Sequence, residues 1–136
     1  MRRPGLLLGA ALGVLAGFTL APPLARIARS WPHRVAVFGH SMEPTLHAGD
    51  WLLVDPDAFI ARLPAPGELC VAHDPRAPQR LIVKRATWVT GSTATLASDH
   101  PAHSAADDTI GPVAAAEIVG RPWFRYWPLD RFGRVG

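Results

Sequence analysis

Apolar positions fall in two different patterns along the chain. Residues 6–21, LLLGAALGVLAGFTLA, carry no charge. As a helix these residues would extend about 24 Å, or about 30 Å if continued to Ala25, which is roughly the thickness of a bilayer's hydrocarbon core. Past residue 33 the apolar residues come in short runs: RVAVFG (34–39), DWLLVD (50–55), GELCVAH (67–73), RLIVKRATWV (80–89) and STATLAS (92–98). These are rich in Val, Leu, Ile, Thr and Trp and are separated by turn clusters such as DPDA, LPAPG, HDPRAP and TGS, so each reads as a strand. No 3.6-residue periodicity persists, although VAAAEIVG (113–120) suits a short helix or a strand. Fourteen prolines also fit short strands with many turns better than long helices. The pattern therefore predicts a mostly β domain, a small sheet or barrel closed on itself, behind one N-terminal transmembrane helix.

This divides the 136 residues into a short basic N-terminus (1–5), an anchor (6–25), a juxtamembrane linker (26–33) and one folded domain (34–136). A cleavable signal peptide is the competing reading of the first segment, since MRR and the apolar run fit one. A cut after Ala21 would leave Pro22 just beyond the scissile bond, a poor substrate, so a retained anchor is expected. Charged residues make up 18% and hydrophobic ones 49%, which argues against disorder. The net charge of +3 is no nucleic-acid footprint. Arg2, Arg3, Arg26, Arg29 and Arg34 flank the apolar run, as headgroup anchors do, and no recognition motif accompanies them. Their balance on the two sides leaves topology open. Cys70 is the only cysteine, so no intrachain disulfide forms.

The chemistry centres on GHSMEPTLHAGD (39–50), where Ser41 sits at a bend held by glycines and a proline. A serine hydroxyl needs a base to become a nucleophile. His40 adjoins Ser41 but points to the opposite side of an extended chain, while five other histidines and many aspartates leave a Ser-His-Asp arrangement open. The other candidate is Lys84, the single lysine. Strand alternation sets Ile82, Lys84, Ala86 and Trp88 on one face and turns Arg85 to the other. A lysine among apolar side chains loses its proton more easily, because desolvation disfavours the ammonium. The bland reading, a lysine that carries its amine out to solvent from a strand end, stands beside it. Cys70 and His73, like His100 and His103, are three apart, which on a strand means opposite faces, so no metal site is expected.

Together these residues resemble the type I signal peptidases, or leader peptidases, the Ser-Lys serine peptidases of family S26. GHSMEPTLHAGDWLLVD resembles the family's nucleophile segment, IVKRATWV its lysine segment, SDHPAHSAADDTIGPV its third segment and FRYWPLDRFG its C-terminal tail. The resemblance implies a coiled, mostly antiparallel β-sheet or barrel as the catalytic domain, with Ser41 as nucleophile and Lys84 as general base. It implies that Ser104 orients the lysine and that Asp99 is the acidic residue just upstream of it. Gly39, Met42, Pro44 and Arg85 are expected to support the site, with an oxyanion hole made of backbone N–H groups, that of Ser41 included. Ala106 and Asp108 stand where the family usually pairs an Asp with an Arg, and Ser98-Asp99-His100 stands where it usually has Gly-Asp-Asn.

The implied activity is removal of signal peptides from exported preproteins. The substrate is an extended segment with small residues, typically Ala-x-Ala, before the cut, processed through an acyl-enzyme. The implied location is the plasma membrane, with a single span and an extracytoplasmic catalytic domain. The lipid bilayer is then the other partner, and no cofactor, metal or nucleic acid is implied. Three alternatives remain: a dedicated maturation protease of the same family, as for nickel-type superoxide dismutase; a self-cleaving repressor peptidase, disfavoured by the apolar span; and a membrane-anchored β binding module with a degenerate site.

Overall fold

A computed structural model describes residues 24–103 and 109–136. Residues 24–30 are helical and run into a single turn of 3-10 helix, Trp31–His33. Eight strands follow: β1 (Val35–Ala36), β2 (Trp51–Asp55), β3 (Leu69–Asp74), β4 (Ala77–Thr90), β5 (Thr93–Ala97), β6 (Ile110–Ala114), β7 (Ile118–Trp127) and β8 (Gly133–Arg134). Neighbours pair antiparallel in the order β1-β2-β7-β3-β4-β5-β6, with β8 added beside β7. The domain is mostly β, as the runs of apolar residues predict, and antiparallel, as the resemblance implies. It is not a barrel: β1 and β6 end the path, and the sheet stays open. The anchor expected over residues 6–25 falls almost wholly outside the described residues. Among the described residues no helix is long and apolar enough to cross a membrane.

Two small hydrophobic clusters hold the sheet. One gathers Cys70, Ala72, Ala86, Ala94, Leu96, Ile110 and Val113, with Ile82, Val89 and Ile118 against it. The other gathers Val37, Met42, Leu46, Leu52 and Leu69, with Val83 against it. Strand β4 serves both, because successive side chains face opposite ways. Lys84 shares the first cluster's face with Ile82 and Ala86, as the alternation predicts, and is 8% exposed. Trp88 departs from that prediction and is 68% exposed. A register shift against β5 between Ala86 and Trp88 rotates the strand, so Val89 takes the inward position instead.

Strand β7 joins the two parts of the sheet, with β2 along 121–127 and β3 along 118–120. A Cβ added at Gly120 would lie 2.3 Å from the Asp55 carbonyl oxygen, so only glycine lets β7 and β2 approach this closely. VAAAEIVG becomes neither one helix nor one strand: β6 ends at Ala114, Ala115–Glu117 form a 3-10 turn, and β7 begins at Ile118. The 24–30 helix is fastened to the sheet through Ser30, which is fully buried and accepts a bond from Trp123 Nε1 at 3.0 Å. Arg26 adds an ion pair with Asp55 at 3.3 Å and lies over the Trp123 ring.

Candidate active site

Ser41 lies in the turn between β1 and β2, and this turn is pinned at several points. Gly39 enters it at φ +75°, a left-handed conformation that favours glycine. Met42 is buried in the second cluster, and the Leu46 N–H donates to the Met42 carbonyl at 2.9 Å. Pro44 lies at the middle of the turn and the Ser41 carbonyl accepts a bond from the His100 N–H at 2.9 Å. Asp50 closes the segment from below. Its wholly buried carboxylate accepts from the His47 N–H at 2.9 Å, from Arg125 Nη1 at 2.9 Å and from Arg131 Nη2 at 2.6 Å.

Lys84 comes from the middle of β4, 43 residues away in sequence, and its Nζ donates to Ser41 Oγ at 2.8 Å. It also donates to Ser98 Oγ at 2.8 Å. Snorkelling to solvent, the bland reading of Lys84, therefore does not describe it. Ser98 is the site residue that the sequence reading missed, although a signal was present. Along β5 the alternation Ala94, Leu96, Ser98 marks the buried face. The β4–β5 register pairs Arg85 with Ala97 and Ala86 with Leu96, so one further residue sets Ser98 opposite Lys84. Ser104, Ala106 and Asp108 lie outside the described residues.

Arg85 faces away from Lys84, as predicted, and grips Asp99 with both arms of its guanidinium, at 2.8 and 2.7 Å. Thr45 donates to the same carboxylate at 2.6 Å. Asp99 thus joins the lysine strand, the serine turn and the segment after β5. Burial pushes its carboxyl upward, but Arg85 and Thr45 outweigh burial and hold it below its ordinary value. His40 turns away to Glu43, 2.7 Å from Nδ1. Cys70 stands across from Lys84 in the β3–β4 register, but burial pushes its thiol up to about 12, so it offers no thiolate near neutral pH. Among the described residues no group of three His, Cys, Asp or Glu side chains could hold a metal ion.

Asp50 is also held below its ordinary value, because the His47 N–H and two arginines outweigh its burial. Glu68 is lowered from 4.5 to about 2, chiefly by bonds from Arg62. A carboxyl with a depressed folded-state pKa stabilises the fold above its unfolded value, and this contribution is lost as pH falls through the folded value. Stability should therefore hold above about pH 4.5 and decline as pH falls towards 2. Urea midpoints measured across that range check this; a flat profile there would remove these carboxylates as the cause.

Ser41, Met42 and Lys84 open onto a cavity of about 330 Å³ whose walls include Val37, Phe38 and Val83. Along this cavity β4 has a free edge. β3 pairs with β4 over 81–85 and again at Ala77, whereas β5 pairs only from Arg85 onward, so among the described residues 81–84 are paired on one side and 78–80 bulge from the ladder.

Residues 12–100 match the family described as signal peptidase, peptidase S26. The chain is also 29% identical to a mitochondrial ATP-independent inner membrane protease subunit 1b from Arabidopsis thaliana, over 73% of this chain and 72% of that one. No solved structure matches it. With the family matched across the serine turn and the lysine strand, the chain belongs to the signal peptidase, peptidase S26 family of peptide-bond hydrolases.

Proposed function

We propose that this protein is a membrane-bound serine endopeptidase that removes signal peptides, cutting after small residues with Ser41 as nucleophile and Lys84 as general base. The observation that carries this reading is the 2.8 Å contact between Lys84 Nζ and Ser41 Oγ at an open cavity. An extended substrate would add a strand to the free edge of β4, leaving its residue before the cut beside Val37, Met42 and Val83. Lys84, neutral in the working state, takes the Ser41 proton as Oγ attacks the scissile carbonyl. The backbone N–H of Ser41 supports the oxyanion, and Lys84 returns the proton to the leaving amine. Water then releases the acyl group, with Lys84 again as base.

Membrane attachment is supported by the uncharged run at 6–21 and by the name of the plant relative, an inner membrane protease subunit. Exposed Trp31, Trp51 and Trp127 suit a headgroup layer. The test is cleavage of a labelled Ala-x-Ala preprotein in detergent. The wild-type chain should cut after the small residue and Ser41→Ala should not; a folded wild-type chain that leaves the preprotein intact would remove the general signal-peptidase reading.

Ser98 acts in this scheme as a positioning residue, since it holds Nζ without meeting substrate. Ser98→Ala should lower kcat by about tenfold with little change in KM, the worth of one hydrogen bond that holds Nζ. Ser98→Thr, which keeps the hydroxyl, should recover most of it. Equal loss in both variants would mean that packing, not the hydroxyl, matters there.

A further inference from the structure

The far end of the cavity holds a cluster that the cleavage chemistry does not use. Asp74 ends β3 with its carboxylate wholly buried. Arg76 donates to it from Nε at 3.1 Å and from Nη2 at 3.3 Å. Arg80 donates from Nε at 3.1 Å and also from Nη2. One guanidinium would neutralise the carboxylate, so the cluster keeps an excess positive charge. Each guanidinium commits two of its five N–H groups to Asp74 and has the rest to offer. The two side chains are 60% and 61% exposed, and both line the cavity that contains Ser41 and Lys84.

Position along β4 sets the spacing. Arg80 lies in the bulged segment 78–80, four residues before Lys84, a reach of at most about 13 Å along the strand. Between the charged ends the cavity wall is apolar, formed by Leu81, Ile82 and Val83. A peptide strand beside β4 advances in step with it. On a substrate that runs parallel to β4, with its residue before the cut at Lys84, Arg80 meets a position about four residues further upstream.

We propose that Arg76 and Arg80 form a subsite for a carboxylate side chain of the substrate, near the fifth residue before the cut. This rests on the peptidase reading above and narrows it to substrates with an acidic upstream residue. An anionic lipid headgroup offers similar chemistry, but the arginines line the same concave wall as the reactive serine, where a peptide lies.

The experiment uses peptides identical except for Asp, Asn or Lys at the fourth, fifth or sixth residue before the cut, in lipid-free neutral detergent. Wild type should prefer Asp over Asn at one of these positions by about fivefold to tenfold in kcat/KM, mostly through KM, and less at high salt. The Asp/Asn ratio should fall towards one in Arg80→Gln and Arg76→Gln, each of which leaves one guanidinium on Asp74. Efficient cutting of the Asp and Asn peptides at equal rates would overturn the subsite while leaving the peptidase reading in place. A preference that appears only with anionic vesicles would reassign the arginines to lipid and also overturn it. The same peptides titrated onto Ser41→Ala separate the two claims. Tighter binding of the Asp peptide upholds the subsite even if nothing is cut, and equal binding overturns it.

Discussion

Lys84→Ala should reduce kcat on a small-residue preprotein by at least about a thousandfold while the protein remains folded. Lys84 is the base that Ser41 Oγ meets among the described residues, and a hydroxyl without a base is a weak nucleophile. The loss should exceed that of an ordinary general base because Lys84 is asked to serve twice, in acylation and in deacylation. Lys84→Arg should be equally inactive, since a guanidinium keeps its proton. Folding should survive either change better than its burial suggests: in Lys84→Ala the Ser41 and Ser98 hydroxyls can bond water that enters from the cavity. Cleavage assays paired with thermal melts separate the two effects. Residual activity within tenfold of wild type in a folded Lys84→Ala protein would end the proposed role.

Asp50→Ala should be the most destabilising single change in the turn segment, by about 3 kcal/mol, at the low end of what breaking a buried ion pair costs. Three residues donate to that carboxylate, and its removal leaves Arg125, 14% exposed, without its carboxylate. Arg131 is 34% exposed and can turn to water, which keeps the figure from rising further. Against a total of roughly 5–15 kcal/mol for a domain, this is a large fraction. Asp50→Asn, which can still accept from His47, should cost less. Urea unfolding gives both numbers; a loss below about 1 kcal/mol for Asp50→Ala would mean that the arginines find other partners.

How far the sequence could be read depended on whether a residue's place follows from local alternation or from pairing across the chain. The five strands read from short apolar runs are present, and so is the inward face of Lys84, because a two-residue period needs no knowledge of partners. Trp88 was misassigned because a register shift cancels that period, and such a shift is a property of two strands together. Only the start of β7, within VAAAEIVG, suits a strand, and it suits a short helix as well: Gly120, Arg121, Pro122 and Arg125 interrupt the apolar pattern beyond it, although Gly120 is what lets β7 lie against β2. The closed sheet was expected on general grounds and gave way to an open one. Ser41 and Lys84 were singled out from residue chemistry and family resemblance, whereas Ser98 needed the register. The anchor and Ser104 lie outside the described residues.

The joining role of β7 also bears on the order of assembly. Ser41 belongs to the half of the sheet built on β1 and β2, and Lys84 to the half built on β3 to β6. These halves are joined through a strand that begins only at residue 118 of 136. A chain emerging from the ribosome therefore carries both residues well before it carries the strand that sets the two halves edge to edge. The peptidase would be a latent one while it is being made, becoming competent only when Ile118–Trp127 is in place.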